Sequence, residues 1–174
     1  MSNFLYTTIG SLMANNYIVE WHPSYSIGIN LIDKQHMELI NLTNRLFRSC
    51  MSGQGRTKSI FIDSLHDAVD YVGYHFGTEE KIMERVNYPE FREHKKQHTD
   101  FVKEVFIKVD DFNSGKYPNP ISFVYFLKEW VLHHIAVRDK KLGEYLLALR
   151  KSGELRKITV KVKEDKSTHR REIQ

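Results

Sequence analysis

A single cysteine, Cys50, stands among 174 residues. An internal disulfide is therefore excluded, and the chain suits a reducing compartment, with a cytoplasmic location as the expectation. No apolar run approaches the roughly 20 residues that cross a bilayer, so no membrane span is expected. The mildly apolar stretch Met1 to Tyr17 lacks a basic leader and is interrupted by Gly10, Asn15 and Asn16, so it does not read as a secretory signal. Most of the chain also lacks an excess of either charge. Residues 1–149 hold 17 basic and 18 acidic side chains, whereas residues 150–174 hold nine and four, so the formal charge of +4 belongs to a tail. That tail is short and has no interleaved aromatic residues. It reads as a solvated terminus, and no nucleic-acid partner is expected. What remains is ordinary for a soluble domain: 41% apolar and 28% charged residues, in a chain long enough to bury one core.

Four stretches carry a helical period. Asp33 to about Met51 aligns Met37, Leu39, Ile40, Leu42, Leu46 and Phe47, and stops at Ser52-Gly53-Gln54-Gly55. About Thr57 to Val86 aligns Phe61, Leu65, Val69, Val72 and Phe76. Asn87-Tyr88-Pro89 breaks it, because proline cannot continue a helix. About Pro89 to Phe112 turns Phe91, Phe101, Val105 and Val109 inward, and Asn113-Ser114-Gly115 with Pro118 and Pro120 closes it. The fourth stretch runs from Pro120 through Phe123, Leu127, Trp130 and Val131 to about Asp139, with a further helical piece over about Lys140 to Arg150. Short turns between long helices predict an all-α, up-down-up-down four-helix bundle over residues 17–150. An extended N-terminal arm, residues 1–16, precedes it, and a basic tail, residues 151–174, follows. Ile158 to Lys163 alternates like a strand but has no partner strand, and Met13 is an alternative start.

The chemistry lies in His36, in His75 with Glu79, in His94 with His98, and in His134 with Asp139. Residues four apart on a helix share a face, so His75/Glu79 and His94/His98 can each serve one metal. A single histidine on an apolar face is more often an ordinary core residue. Five without a cation would leave many buried ring nitrogens needing partners, at about 1–3 kcal/mol for each one unsatisfied. Seven nitrogen and oxygen donors exceed one tetrahedral zinc and suit two six-coordinate ions. Imidazole and carboxylate without thiolate suit iron, manganese or zinc. The set departs from the carboxylate-rich Glu-x-x-His pattern of other four-helix dinuclear proteins. Fewer anionic donors stabilise highly oxidised iron less well, which favours reversible oxygen binding over oxygen activation. His134 and Asp139 lie about 140° apart around an ideal helix. Both can reach a metal only if the helix widens or ends between them, so a π-type turn or helix end is expected there.

Four motifs, in order, resemble bacterial hemerythrins. They are Trp21-His-Pro-Ser-Tyr-Ser-Ile-Gly28 with Ile32-Asp-Lys-Gln-His36; His75-Phe-Gly-Thr-Glu-Glu80; Tyr88-Pro with His94-x-x-x-His98; and Trp130-x-x-x-His134-Ile135 with Asp139. The resemblance covers about residues 17–142. It implies two iron ions, one held by His94, His98 and His134 and the other by His36 and His75. Glu79, Asp139 and an oxo or hydroxo group would bridge them, leaving one position open on the second iron for dioxygen. It also implies that Val131 and Ile135 line the oxygen pocket. The family often carries a bulkier leucine where Val131 stands.

The remaining candidates read as ordinary. His133 points about 100° away from His134. His66 is out of register with His75, and His22 and His169 lie in irregular segments. Cys50 reads as a boundary thiol, Trp21 and Trp130 as packing residues. Glu80 reads as facing away from the site, with a hydrogen bond to a ligand histidine as the sharper alternative. The function that follows is a non-enzymatic protein that stores, delivers or senses dioxygen. The alternatives are a di-iron oxidoreductase (oxidase, peroxidase or nitric oxide reductase) and an iron- or oxygen-sensing module that signals through its basic tail. A separate redox partner or an oligomer is compatible with either.

Overall fold

The first helix, α1, runs Asn30–Met51. It begins earlier than Asp33 suggested, for a physical reason. The Asp33 carboxylate accepts from Ile27 N at 2.7 Å and from Ser26 Oγ at 2.6 Å. It therefore fastens the incoming arm from inside the first turn, where an anion suits the helix N-terminus. This computed structural model describes residues 17–51, 57–116 and 120–154, except the side chains of 57–61 and 112–113. The expected arm at 1–16, the alternative start at Met13, the packing of Phe61, the Ile158 to Lys163 stretch and His169 lie outside the described residues. So does all of the basic tail beyond Glu154.

Helix α2 is Thr57–Arg85 and α3 is Phe91–Asn113. Between them Asn87 adopts φ 50°, the left-handed conformation that asparagine tolerates at a helix end, and Tyr88 N donates to Met83 O at 2.9 Å. Helix α4 is Pro120–His134, a π-helical segment spans Ile135–Asp139, and α5 is Lys140–Lys151. The widened turn thus falls between His134 and Asp139, where the angular mismatch demanded it. No strand occurs among the described residues. Helix α1 packs on α2 and α4, and α2 on α3, giving an all-α four-helix bundle.

The buried apolar residues fall into two clusters. One holds Leu39, Leu46, Leu65, Val72, Phe76, Phe101, Val105, Phe123, Leu127, Val131 and Ile135 among others. The second holds Ile27, Ile32, Ile82, Met83, Val86, Tyr88, Leu142 and Leu146. The polar candidates lie between them along the chain: His36 between Ile32 and Leu39, Glu79 between Phe76 and Ile82, and Asp139 between Ile135 and Leu142. A polar layer is thereby set between two apolar clusters. The second cluster depends on a close approach at Gly143, where any Cβ would sit 2.5 Å from Ile27 O. The segment that leads into α1, residues 17–29, is held at its other end by Asn44, whose side chain accepts from Ile18 N and Val19 N and donates to Val19 O.

Candidate metal centre

All seven sequence-derived donors are buried, from 0% exposure at His36, Glu79 and Asp139 to 4% at His134. Helix α1 supplies His36, α2 supplies His75 and Glu79, α3 supplies His94 and His98, and α4 with the π segment supplies His134 and Asp139. They form two groups whose donor atoms lie within 4.8 Å of one another: Glu79, His94, His98 and His134, and His36, His75, Glu79 and Asp139.

Three imidazole nitrogens converge in the first group. His134 Nε2 lies 3.0 Å from His94 Nε2 and 3.1 Å from His98 Nε2. A neutral imidazole has one proton to share, so this convergence is poorly served by hydrogen bonds alone. Donors at right angles about 2.1–2.2 Å from an ion stand about 3.0–3.1 Å apart, whereas a tetrahedral zinc spreads them to about 3.3 Å. The observed edges are those of nitrogens close enough to share one ion. Asp139 faces both groups: Oδ1 is 3.2 Å from both His94 Nε2 and His134 Nε2, and Oδ2 is 3.1 Å from His36 Nε2. Glu79 Oε2 is 3.3 Å from His98 Nε2, 3.5 Å from His94 Nε2 and 3.8 Å from His75 Nε2.

Protonation tells the same story. Burial and the neighbouring Asp139 would both raise the Glu79 carboxyl. His75 beside it and contacts from His94 and His98 outweigh them and hold it down at about 2. Burial likewise opposes ionisation of Asp139, yet His134, His36 and His94 carry it well below its usual range. His75 is pushed down to about 4, chiefly by burial. Burial opposes a proton on His94 too, but Asp139 and Glu79 raise it to about 9. Two buried carboxylates are thus ionised side by side. Among the described residues neither carboxylate receives a hydrogen bond of ordinary geometry, and both ring nitrogens of His36 lack one as well. A proton on His94 offsets only one of the two charges, burying the remainder costs several kcal/mol, and a cation between the groups would remove that cost. The residues fit a metal centre.

A family model described as the hemerythrin HHE cation binding domain matches residues 27–146. The chain belongs to the hemerythrin family. It is 30% identical over 131 residues to a bacteriohemerythrin of Stenotrophomonas maltophilia (strain R551-3), covering 75% of this chain and 83% of that one. A hemerythrin-like protein of Naegleria gruberi is 27% identical over 121 residues, 70% of this chain and 87% of its own. The crystal structure of a wild-type hemerythrin superposes with a TM-score of 0.65 at 26% identity, covering 73% of this chain and 96% of that chain.

Around the donors this hemerythrin-family site carries a further layer that the sequence reading largely missed. Glu80 does not face away: its Oε1 lies 3.2 Å from His98 Nδ1, and its Oε2 is 2.8 Å from Lys95 Nζ. His75 Nδ1 lies 3.1 Å from Gln35 Oε1, and Gln35 Nε2 donates to Thr78 Oγ1 at 3.2 Å. Phe76 stacks on His98 at 3.7 Å, and Trp130 stacks on His134 at 4.4 Å with Phe101 behind it at 3.8 Å. A cleft of about 290 Å³ lined by Asp100, Glu104, Trp130, His133 and Arg138 opens beside His134. Val131 and Ile135 are both buried, Ile135 at the start of the π segment. His22, His66 and His133 are exposed and join no donor group, and Cys50 is half-buried with its thiol pushed up to about 11 by burial. No helix among the described residues is long and apolar enough to cross a membrane.

Proposed function

We propose that this chain binds dioxygen reversibly at a non-heme pair of iron ions and serves to store, deliver or sense the gas without turning it over. One observation carries the reading: the donors divide unequally around two shared carboxylates, with three imidazoles on one side and two on the other. In this reading His94, His98 and His134 hold one ion and His36 and His75 the other. Glu79 and Asp139, whose oxygens face imidazoles of both groups, would be shared between the two ions. With one imidazole fewer, the second ion would be the one left with room for dioxygen. An iron pair held by these residues would supply the electrons that reversible dioxygen binding needs. The family membership and the hemerythrin structure it resembles support this assignment.

The chain's own residues set the conditions. His75 stays neutral at physiological pH, since burial pushes it down to about 4, and its ring nitrogen remains a donor. The two apolar clusters keep water from the polar layer. Val131 and Ile135 form the wall we assign to the gas pocket, where valine leaves more room than leucine. The binding unit is proposed to be residues 17–150, within which the family match lies, in a reducing cytoplasm that suits the lone Cys50. A di-iron oxidoreductase is the second reading, and the cleft beside His134 is the observation that favours it, since a reducing substrate could enter there.

Oxygen titration tests the choice. Iron-loaded protein is reduced anaerobically, titrated with dioxygen under optical absorption, and purged with inert gas over several cycles. The expected result is one dioxygen per iron pair and full return of the starting spectrum. Continuous oxygen consumption in the presence of a reductant, with no oxygen returned on purging, would establish the enzyme instead.

A further inference from the structure

Three side chains behind His75 form a one-way chain of hydrogen bonds. Thr78 Oγ1 donates to Tyr74 O at 2.9 Å, and a carbonyl can only accept. The hydroxyl has one proton, so towards Gln35 it can only accept, and Gln35 Nε2 donates to it at 3.2 Å. The amide nitrogen is thereby fixed on Thr78 and the amide oxygen on His75, whose Nδ1 lies 3.1 Å from Oε1. An amide oxygen cannot donate, so Nδ1 must carry the ring proton. Nε2 then keeps its lone pair, on the side that faces Glu79. Gln35 is 3% and Thr78 4% exposed, so water does not compete for these groups. At His98 the corresponding partner is the Glu80 carboxylate. A carboxylate raises the basicity of the ring behind which it stands, whereas an amide orients the ring without adding charge.

We propose that Gln35, aimed by Thr78, is the positioning residue that locks His75 with its proton on Nδ1 and keeps the backing of the two-histidine position uncharged. The proposal rests on the ligand assignment above. Its consequence is an asymmetric pair. The Glu80 carboxylate would favour ferric iron on the His98 side, and the neutral relay would leave the His75 side easier to reduce.

The test uses the full-length protein and three variants. NMR of the histidine ring nitrogens in metal-free protein reads the tautomer of His75 directly, and the wild type should show the proton on Nδ1. Thr78→Val touches no donor and removes only the acceptor that aims the amide. The amide should then rotate, and a second tautomer with the proton on Nε2 should appear. Iron titration should show the weaker of the two affinities falling about 10–100-fold in Gln35→Leu and less in Thr78→Val, with the tighter one unchanged. Gln35→Glu can still accept from Nδ1 and should retain both irons while lowering the reduction potential. A proton on Nε2 in the wild type overturns the proposal, as do unaltered iron affinities in both Gln35→Leu and Thr78→Val. An unchanged potential in Gln35→Glu overturns the claim about charge. If His75→Ala also keeps both irons, the ligand assignment has failed rather than the relay.

Discussion

At the three-histidine end, Phe76 lies flat on His98 with ring planes 4° apart, and Trp130 lies on His134 at 12°, with Phe101 behind it. The Glu80 carboxylate backs His98 and reaches Lys95, which is 53% exposed. At the two-histidine end, His36 and His75 meet edge to face at 5.0 Å. Gln35 backs His75, whereas among the described residues no hydrogen bond reaches His36 Nδ1, and its Nε2 faces Asp139 Oδ2 at 3.1 Å. One end is cross-braced by stacked rings and tied to a surface ion pair. The other depends on a single neutral relay in the interior. The difference teaches that a donor set is as rigid as what stands behind it, and that the sparse end is where a missing donor is felt.

The largest expected effect follows at once. His75→Ala should lower the iron content from about two per chain to about one, because five donors fall to four. His94→Ala should leave the two-histidine ion more nearly intact. Elemental analysis of both variants checks this, and equal losses at both positions in His75→Ala would erase the distinction. A second experiment makes the ends alike. Glu80→Gln replaces the carboxylate behind His98 with an amide, and iron affinity at the three-histidine position should fall about tenfold. An unaffected affinity would mean that the stacked rings alone hold His98.

Much of this arrangement was legible in the sequence, and the part that was not has a common cause. Helical period and ligand spacing come from one helix at a time, so the four helices and the grouping of His75 with Glu79 could be read directly. The π segment followed from the same arithmetic, since 140° cannot be closed by a regular helix. Glu80 was misjudged because its own helix turns it away from Glu79, whereas the contact that matters crosses from α2 to α3, 18 residues along the chain. Gln35 and Thr78 are 43 residues apart, and no periodicity links them. The early start of α1 was hidden because no periodicity shows that Asp33 serves the loop before it in space.

Smaller effects sharpen the comparison at the proposed gas pocket and at the chain ends. Ile135→Ser should admit water beside the two-histidine ion and speed autoxidation of the oxygenated protein several-fold, measured as decay of its absorption. The converse change, Val131→Leu, should slow oxygen release in stopped-flow experiments. If Ile135→Ser decays at the wild-type rate, the pocket is elsewhere. Removing residues 1–16 and 151–174 should leave the iron content unchanged, since neither segment carries a donor. Iron loss on truncation would show that a terminus completes the fold.

The central claim is that two iron ions occupy unequal positions and only one is open. Mössbauer spectroscopy of the iron-loaded, anaerobically reduced chain, repeated after oxygen is admitted and again after it is purged, reads that directly. The account predicts two ferrous environments in equal amounts, both converted on oxygenation and both restored on purging. A single ferrous environment, or ferric signals that persist after purging, would contradict it.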